Sequence, residues 1–154
     1  MRRHASIQDK LDAVFERSKS IDIRELELRA DFARHLCVLV SGFLEQSIKI
    51  FTIEYVRKRS TPEVTRHVTR SIKNLTNLKT EKITQHLLSF NQEWQSKIVA
   101  ILSDERKAAI DSVISLRHSI SHGQPDDVTL ARIENYYREI IKAVEDIRAI
   151  MDID

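Results

Sequence analysis

The sequence predicts an all-α fold, a helical bundle of four main helices with short additional helices. Three observations carry this. Only two Gly and two Pro occur in 154 residues, so turns are few and elements long. Apolar residues recur at helical spacing along most of the chain. No segment alternates at the two-residue period of a half-buried strand. At this length, one domain spanning 1–154 has enough chain to bury a core without disulfides or metal. A composition 42% apolar and 31% charged fits a soluble globular protein.

Residues 6–18 read as a short amphipathic helix, with Ile7, Leu11, Val14 and Phe15 on one side. A long helix follows from about Ile23 to Arg59. Its middle is apolar nearly all round (Phe32, Leu36, Leu39, Val40, Phe43, Leu44, Ile48, Ile50, Phe51), the mark of a helix surrounded by protein. Ser41-Gly42 offers a narrow point where another backbone can approach. Ser60 or Thr61 caps the next helix, over 61–76, and Pro62 suits its first position. "NLTNLKTEK" interrupts it. Between Lys79 and Ala100 one or two shorter helices point Ile83, Leu87, Leu88, Phe90 and Trp94 inward. Ser103 is the expected cap of a helix running to about Ser121, with Asp104 and Glu105 at its positive end. Gly123 stops that helix and Pro125 forbids its continuation. The last helix is expected from about Asp126 to Met151, and its stripe from Leu130 to Met151 is the most regular in the chain.

Cys37 stands alone, which excludes an internal disulfide framework and favours a reducing compartment. The N-terminus lacks the apolar core of a signal peptide, and no apolar run approaches the roughly 20 residues of a membrane span. The expected location is the cytoplasm, away from membranes. The six histidines show no HExxH pattern and no glycine-rich phosphate loop is present, so neither a metal nor another cofactor is expected.

Net charge is only +2, but it is unevenly spread. From Arg57 to Lys82 eight basic residues face two acids; the segment from Pro125 onward carries eight acids and four bases. Arg57, Lys58, Arg59, Arg66, Arg70 and Lys73 belong to the basic stretch, which is either a solvated helix face or a footprint for a polyanion such as RNA.

The stretch "SVISLRHSISHGQPDD" (112–127) concentrates the chemistry. With Ile110 at 0° and 100° per residue, the apolar arc runs from roughly 240° through 0° to about 40°, and Arg117 falls inside it at about 340°. A buried guanidinium without a partner is very costly, so an anion must meet it. Glu45, set among the apolar residues of the long helix, is one candidate. A ligand phosphate held in a cleft is the other. His122 stands where the helix ends, at the negative pole of its dipole, which suits a histidine that titrates near neutrality. In an ideal helix it diverges from Arg117 by about 140°, and the two converge only if the chain leaves the helix near residue 121. An Arg and a His with four to six residues between them are expected about twice by chance in such a composition. Two pairs occur, Arg29…His35 and Arg117…His122, and only the second has an apolar-face arginine, a helix end and a glycine.

"RHSISHG" in a four-helix setting resembles the Arg-x4-6-His motif of the HEPN superfamily, and "FARHLCVLVSGFLEQSIKIFTIEYVRKRS" is similar to the second-helix region of its RiboL-PSP-HEPN branch. The resemblance implies a metal-independent endoribonuclease that works as a homodimer, the motif of each subunit facing a shared cleft. Toxins and anti-phage effectors are frequent in the superfamily, which implies an antitoxin or regulatory protein as a further partner. Arg117 and His122 match the two motif positions. His118 matches the polar residue after the arginine, where Asn is frequent, and Glu45 resembles a carboxylate of the second helix. Chemically, RNA cleavage without metal uses the 2′-OH as internal nucleophile, so the site must move two protons and stabilise a phosphorane. His122 is the acid/base in this reading, Arg117 the phosphate clamp and His118 a substrate contact, with the basic stretch guiding the strand. The competing expectation is a non-catalytic helical module that binds nucleotide, RNA or a protein partner.

Overall fold

A 34-residue helix, α2 (Leu26–Arg59), forms the axis of the molecule in this computed structural model, which describes residues 1–153. Fourteen of its residues are buried, from Ala33 to Val56, because other helices cover it on several sides. α1 (Arg2–Ser18), α6 (Asp104–Ser121) and α7 (Leu130–Ile150) all pack on it, and α6 and α7 pack on each other. The shorter helices α3 (Pro62–Ser71), α4 (Thr80–Leu88) and α5 (Gln95–Ile101), with 3-10 turns at Ile72–Asn74 and Gln92–Trp94, complete a chain with no strand among the described residues. Leu36, Leu44, Ile48, Phe51, Ile110, Ile133 and Ile140 are wholly enclosed where α2, α6 and α7 meet. Each such side chain contributes about 1.5–3 kcal/mol by leaving water.

Several boundaries differ from expectation, each for a tertiary reason. α1 begins at Arg2 rather than residue 6, because His4 is buried between the Phe43 and Phe51 rings and bonds Ser47 at 2.9 Å. α2 starts at Leu26, since the Asp22 carboxylate takes the backbone N–H of Arg24 (2.9 Å) and holds a turn there. Thr61 caps α3 as expected, accepting from the Val64 N–H, but Ser103 does not cap α6: its hydroxyl turns back to the Ala100 carbonyl at 2.9 Å. α7 starts at Leu130, four residues later than expected. The Asp126 carboxylate is bound instead by Arg34 of α2 (2.9 Å), and Thr129 is the cap, accepting from Arg132 N–H.

Two further readings are corrected. A Cβ on Gly42 would meet nothing within 4 Å, so no backbone of this chain approaches that point. By length and composition α2 is apolar enough to cross a membrane, contrary to the sequence count, but 67% of that apolar window is buried inside the protein, as in a core helix.

Candidate active site

α6 ends as the sequence requires. Gly123 adopts φ +63°, its N–H bonds the Ile120 carbonyl (3.2 Å), and Gln124 N–H bonds the Ser119 carbonyl (2.9 Å). This pair of bonds is a Schellman stop, which satisfies the last carbonyls and turns the chain. Arg34 then ties Asp126 to α2, and Val128 is buried behind it, so the departure after His122 is held on both sides.

The buried side of α6 presents Ala109, Ile110, Val113 and Ile114 to the core. Arg117 follows on that side, its side chain one-third exposed (33%). Its Nη1 donates to the Asn77 Oδ1 at 3.2 Å and lies 3.9 Å from Glu45 Oε1. Glu45 is buried in α2, and the same Oε1 accepts the backbone N–H of Asn77 at 3.1 Å. The anion that meets Arg117 within the chain is therefore Glu45, with Asn77 between them.

Asn77 belongs to the connection between the 3-10 turn at Ile72–Asn74 and α4, and it holds a left-handed conformation, φ +55°. Asn tolerates that region better than most residues. α4 is anchored to α6 by Asp111, whose carboxylate accepts the Thr80 N–H (2.8 Å) and hydroxyl (3.1 Å). This carboxylate from another helix does the work of an N-cap and sets the register that delivers Asn77 to Arg117.

His122 does not join Arg117. No hydrogen bond links the two among the described residues; instead the His122 ring lies 4.4 Å from that of His118, tilted by 56°. His118 also lines a cleft of about 720 Å³ between α4 and α6, together with Asn77, Lys79, Lys82, Gln85, Ser115 and Ser119. Lys79 and Lys82 make its floor cationic, against the single Glu81. Arg117 and the histidine pair thus stand on two sides of α6, and Asn77 and His118 both line the cleft.

The basic residues divide. Arg57 pairs with Glu54 at 2.5 Å; Arg59 lies 4.2 Å over the Tyr55 ring and reaches Asp152 at 3.4 Å. Along α2 these positions, with Lys58 between them, stand about 18 Å or more from Glu45. α3 doubles back alongside α2, and Lys49 bonds the Lys73 carbonyl at 3.0 Å. Exposed Arg66, Arg70 and Lys73 therefore run back from the end of α2 toward the cleft, where Lys79 and Lys82 continue the series. Lys79 and Lys82 belong to the basic stretch read from the sequence, whereas nothing in the sequence singles out Asn77 as a partner of Arg117. The Asn in "LTNLK" was a legible turn signal, but its partners lie 32 and 40 residues away.

Among the described residues no group of three or more His, Cys, Asp or Glu side chains is placed to hold a metal. Burial lifts the Cys37 thiol to about 11, which leaves it protonated and unreactive. The family described as RiboL-PSP-HEPN matches residues 3–152, nearly the whole chain. The chain matches no curated protein and no solved structure.

Proposed function

From the premise that the chain belongs to the RiboL-PSP-HEPN family, we propose that it is a metal-independent endoribonuclease. HEPN domains are frequently endoribonucleases. The observation that carries the proposal is the placement of Arg117. A core carboxylate and the amide of Asn77, itself a lining residue of the cationic cleft, hold its guanidinium, and a third of its side chain still faces solvent. A guanidinium held in this way meets phosphate without first having to be ordered.

In this reading a single strand lies along the cleft, drawn by Arg66, Arg70, Lys73, Lys79 and Lys82. His122 removes the 2′-OH proton. The alkoxide attacks phosphorus, the P–O5′ bond breaks, and the departing 5′-oxygen takes a proton from the imidazolium that the second copy supplies. The products are a 2′,3′-cyclic phosphate and a 5′-OH. Arg117 stabilises the phosphorane charge, and His118 steadies the His122 ring and contacts substrate. A single chain offers one such Arg and one such His on separate sides of α6. Two copies facing each other supply a second set, so the active species is a homodimer with a shared cleft. A cytoplasmic toxin or anti-phage effector held by an antitoxin or regulatory protein fits such an activity.

The test is digestion of single-stranded RNA with EDTA present, comparing wild type with Arg117→Ala and His122→Ala. Wild type is expected to cut and both variants to lose about a hundredfold or more. Intact RNA with pure wild type, or equal cutting by both variants, overturns the nuclease reading. One observation favours the second reading, a non-catalytic module that binds nucleotide, RNA or a protein: Glu45 already supplies Arg117 with an anionic partner at 3.9 Å. On that reading Arg117→Ala lowers stability and no RNA is cut by any form.

A further inference from the structure

We propose that His118 and His122 form a two-imidazole site for a borderline divalent transition-metal ion, represented by Zn²⁺. The residues are four apart on one helix face, and the backbone keeps that register to the end, since His122 N–H bonds the His118 carbonyl at 3.1 Å. Both side chains are exposed, and their ring centroids are 4.4 Å apart. Two imidazoles sharing one zinc ion at the usual Zn–N length place their centroids about 5 Å apart, so a small side-chain rotation is enough. Imidazole nitrogen suits zinc, nickel and copper(II), and oxygen-seeking magnesium or calcium find no carboxylate pair here. The helix C-terminus adds negative potential at the same point.

The surroundings set the strength. Lys79 and Lys82 share the neighbouring cleft with His118 and are only partly offset by Glu81, so long-range charge does not favour a cation. Affinity comes from the two nitrogens, with water in the other positions. This is an open, exchangeable site, distinct from the closed four-ligand sites that hold structural zinc. A metal there occupies the lone pair His122 needs to accept a proton. Zinc therefore inhibits RNA cleavage, an effect that rests on the nuclease reading, whereas binding does not.

The binding test is calorimetric titration of untagged, EDTA-stripped full chain with ZnCl2. Wild type is expected to take up one ion per chain with micromolar affinity. His118→Gln and His122→Gln are each expected to weaken binding about tenfold or more. His35→Gln, which removes an exposed histidine outside the pair, is expected to bind as wild type. Absence of saturable binding, or binding untouched by both motif variants, overturns the site. For inhibition, RNA cleavage in chelator-free buffer is followed as zinc is added and then removed with EDTA. Inhibition at the calorimetric midpoint, reversed by EDTA, supports the proposal. Cleavage that persists at saturation overturns the inhibitory role. A protein that binds zinc through these histidines but never cuts RNA overturns the nuclease reading and leaves the metal site standing.

Discussion

Asn77 serves Arg117 with its side chain and Glu45 with its backbone: Oδ1 accepts from Arg117 Nη1 at 3.2 Å, and N–H donates to the carboxylate at 3.1 Å. Its left-handed backbone, φ +55°, makes both bonds possible at once. Asn77→Gly keeps that backbone without strain and deletes the amide; Asn77→Ala deletes the amide and adds strain of about 1 kcal/mol. Both variants are expected to slow RNA cleavage about tenfold. Only Asn77→Ala is expected to lower the urea midpoint by an amount matching the strain. Equal cleavage by Asn77→Gly and wild type would show that Asn77 does not position the arginine.

Glu45 and Arg117 are coupled across a partly buried gap of 3.9 Å. Removing one partner leaves the other in a poor environment, so each single change costs more than the double change implies. Arg117→Ala and Glu45→Gln are each expected to lose about 1–2 kcal/mol, and the double variant less than their sum by about 1 kcal/mol. Urea unfolding of the four proteins of the cycle measures this coupling. Additive losses would mean that Asn77, not the carboxylate, is the partner that matters.

One buried histidine, His4, and one half-buried histidine, His86, make stability sensitive to mild acid. Burial, with the charges of Arg148 and the amino terminus, holds His4 below the usual histidine value of 6.5, and burial does the same for His86. Ser47 and Thr52 donate their hydroxyl protons to the carbonyls of Phe43 and Ile48, so each accepts a ring N–H, at 2.9 and 2.8 Å. Below 6.5 the unfolded chain takes up protons that the folded chain resists. Stability is therefore complete above about pH 6.5 and falls as pH drops from there toward the lowered folded values. Asp22, Glu63 and Asp127, held below their usual range by hydrogen bonds, act only in stronger acid. Urea midpoints at pH 7.5 and 5.5 are expected to differ for wild type. The difference should shrink in a His4→Gln, His86→Gln variant, whose amides still donate to the hydroxyls.

Gly123 ends the helix one residue after His122. At φ +63° an Ala there is strained whatever the space, and the space is open, so Gly123→Ala isolates the backbone effect at about 1 kcal/mol. The change loosens the Schellman stop. The expected result is a modest drop in thermal midpoint with a larger loss of RNA cleavage than of stability. A variant that cuts normally would show that the helix end serves folding alone.

The sequence by itself determined the helical class, the extent of α6 to Ser121, its glycine stop, the burial of the long helix and the placement of Arg117 toward the core. These rest on local physics: periodicity, capping chemistry and the cost of an unpaired charge. It also named Glu45 as a possible anion, because a carboxylate amid apolar neighbours needs a partner. Tertiary structure decided what spacing cannot carry. Asn77 reaches Arg117 only because Asp111 anchors α4 on α6, and the cap of α7 falls to Thr129 because Arg34 claims Asp126. His4 extends the first helix by the four residues from Arg2 to Ala5 through a contact more than 40 residues away. His122 turns to His118 rather than Arg117, because the helix keeps its register to the last residue and the backbone turns only after it. Each outcome depends on a partner distant in sequence, and no local pattern encodes which of several acids, amides or rings will be within reach.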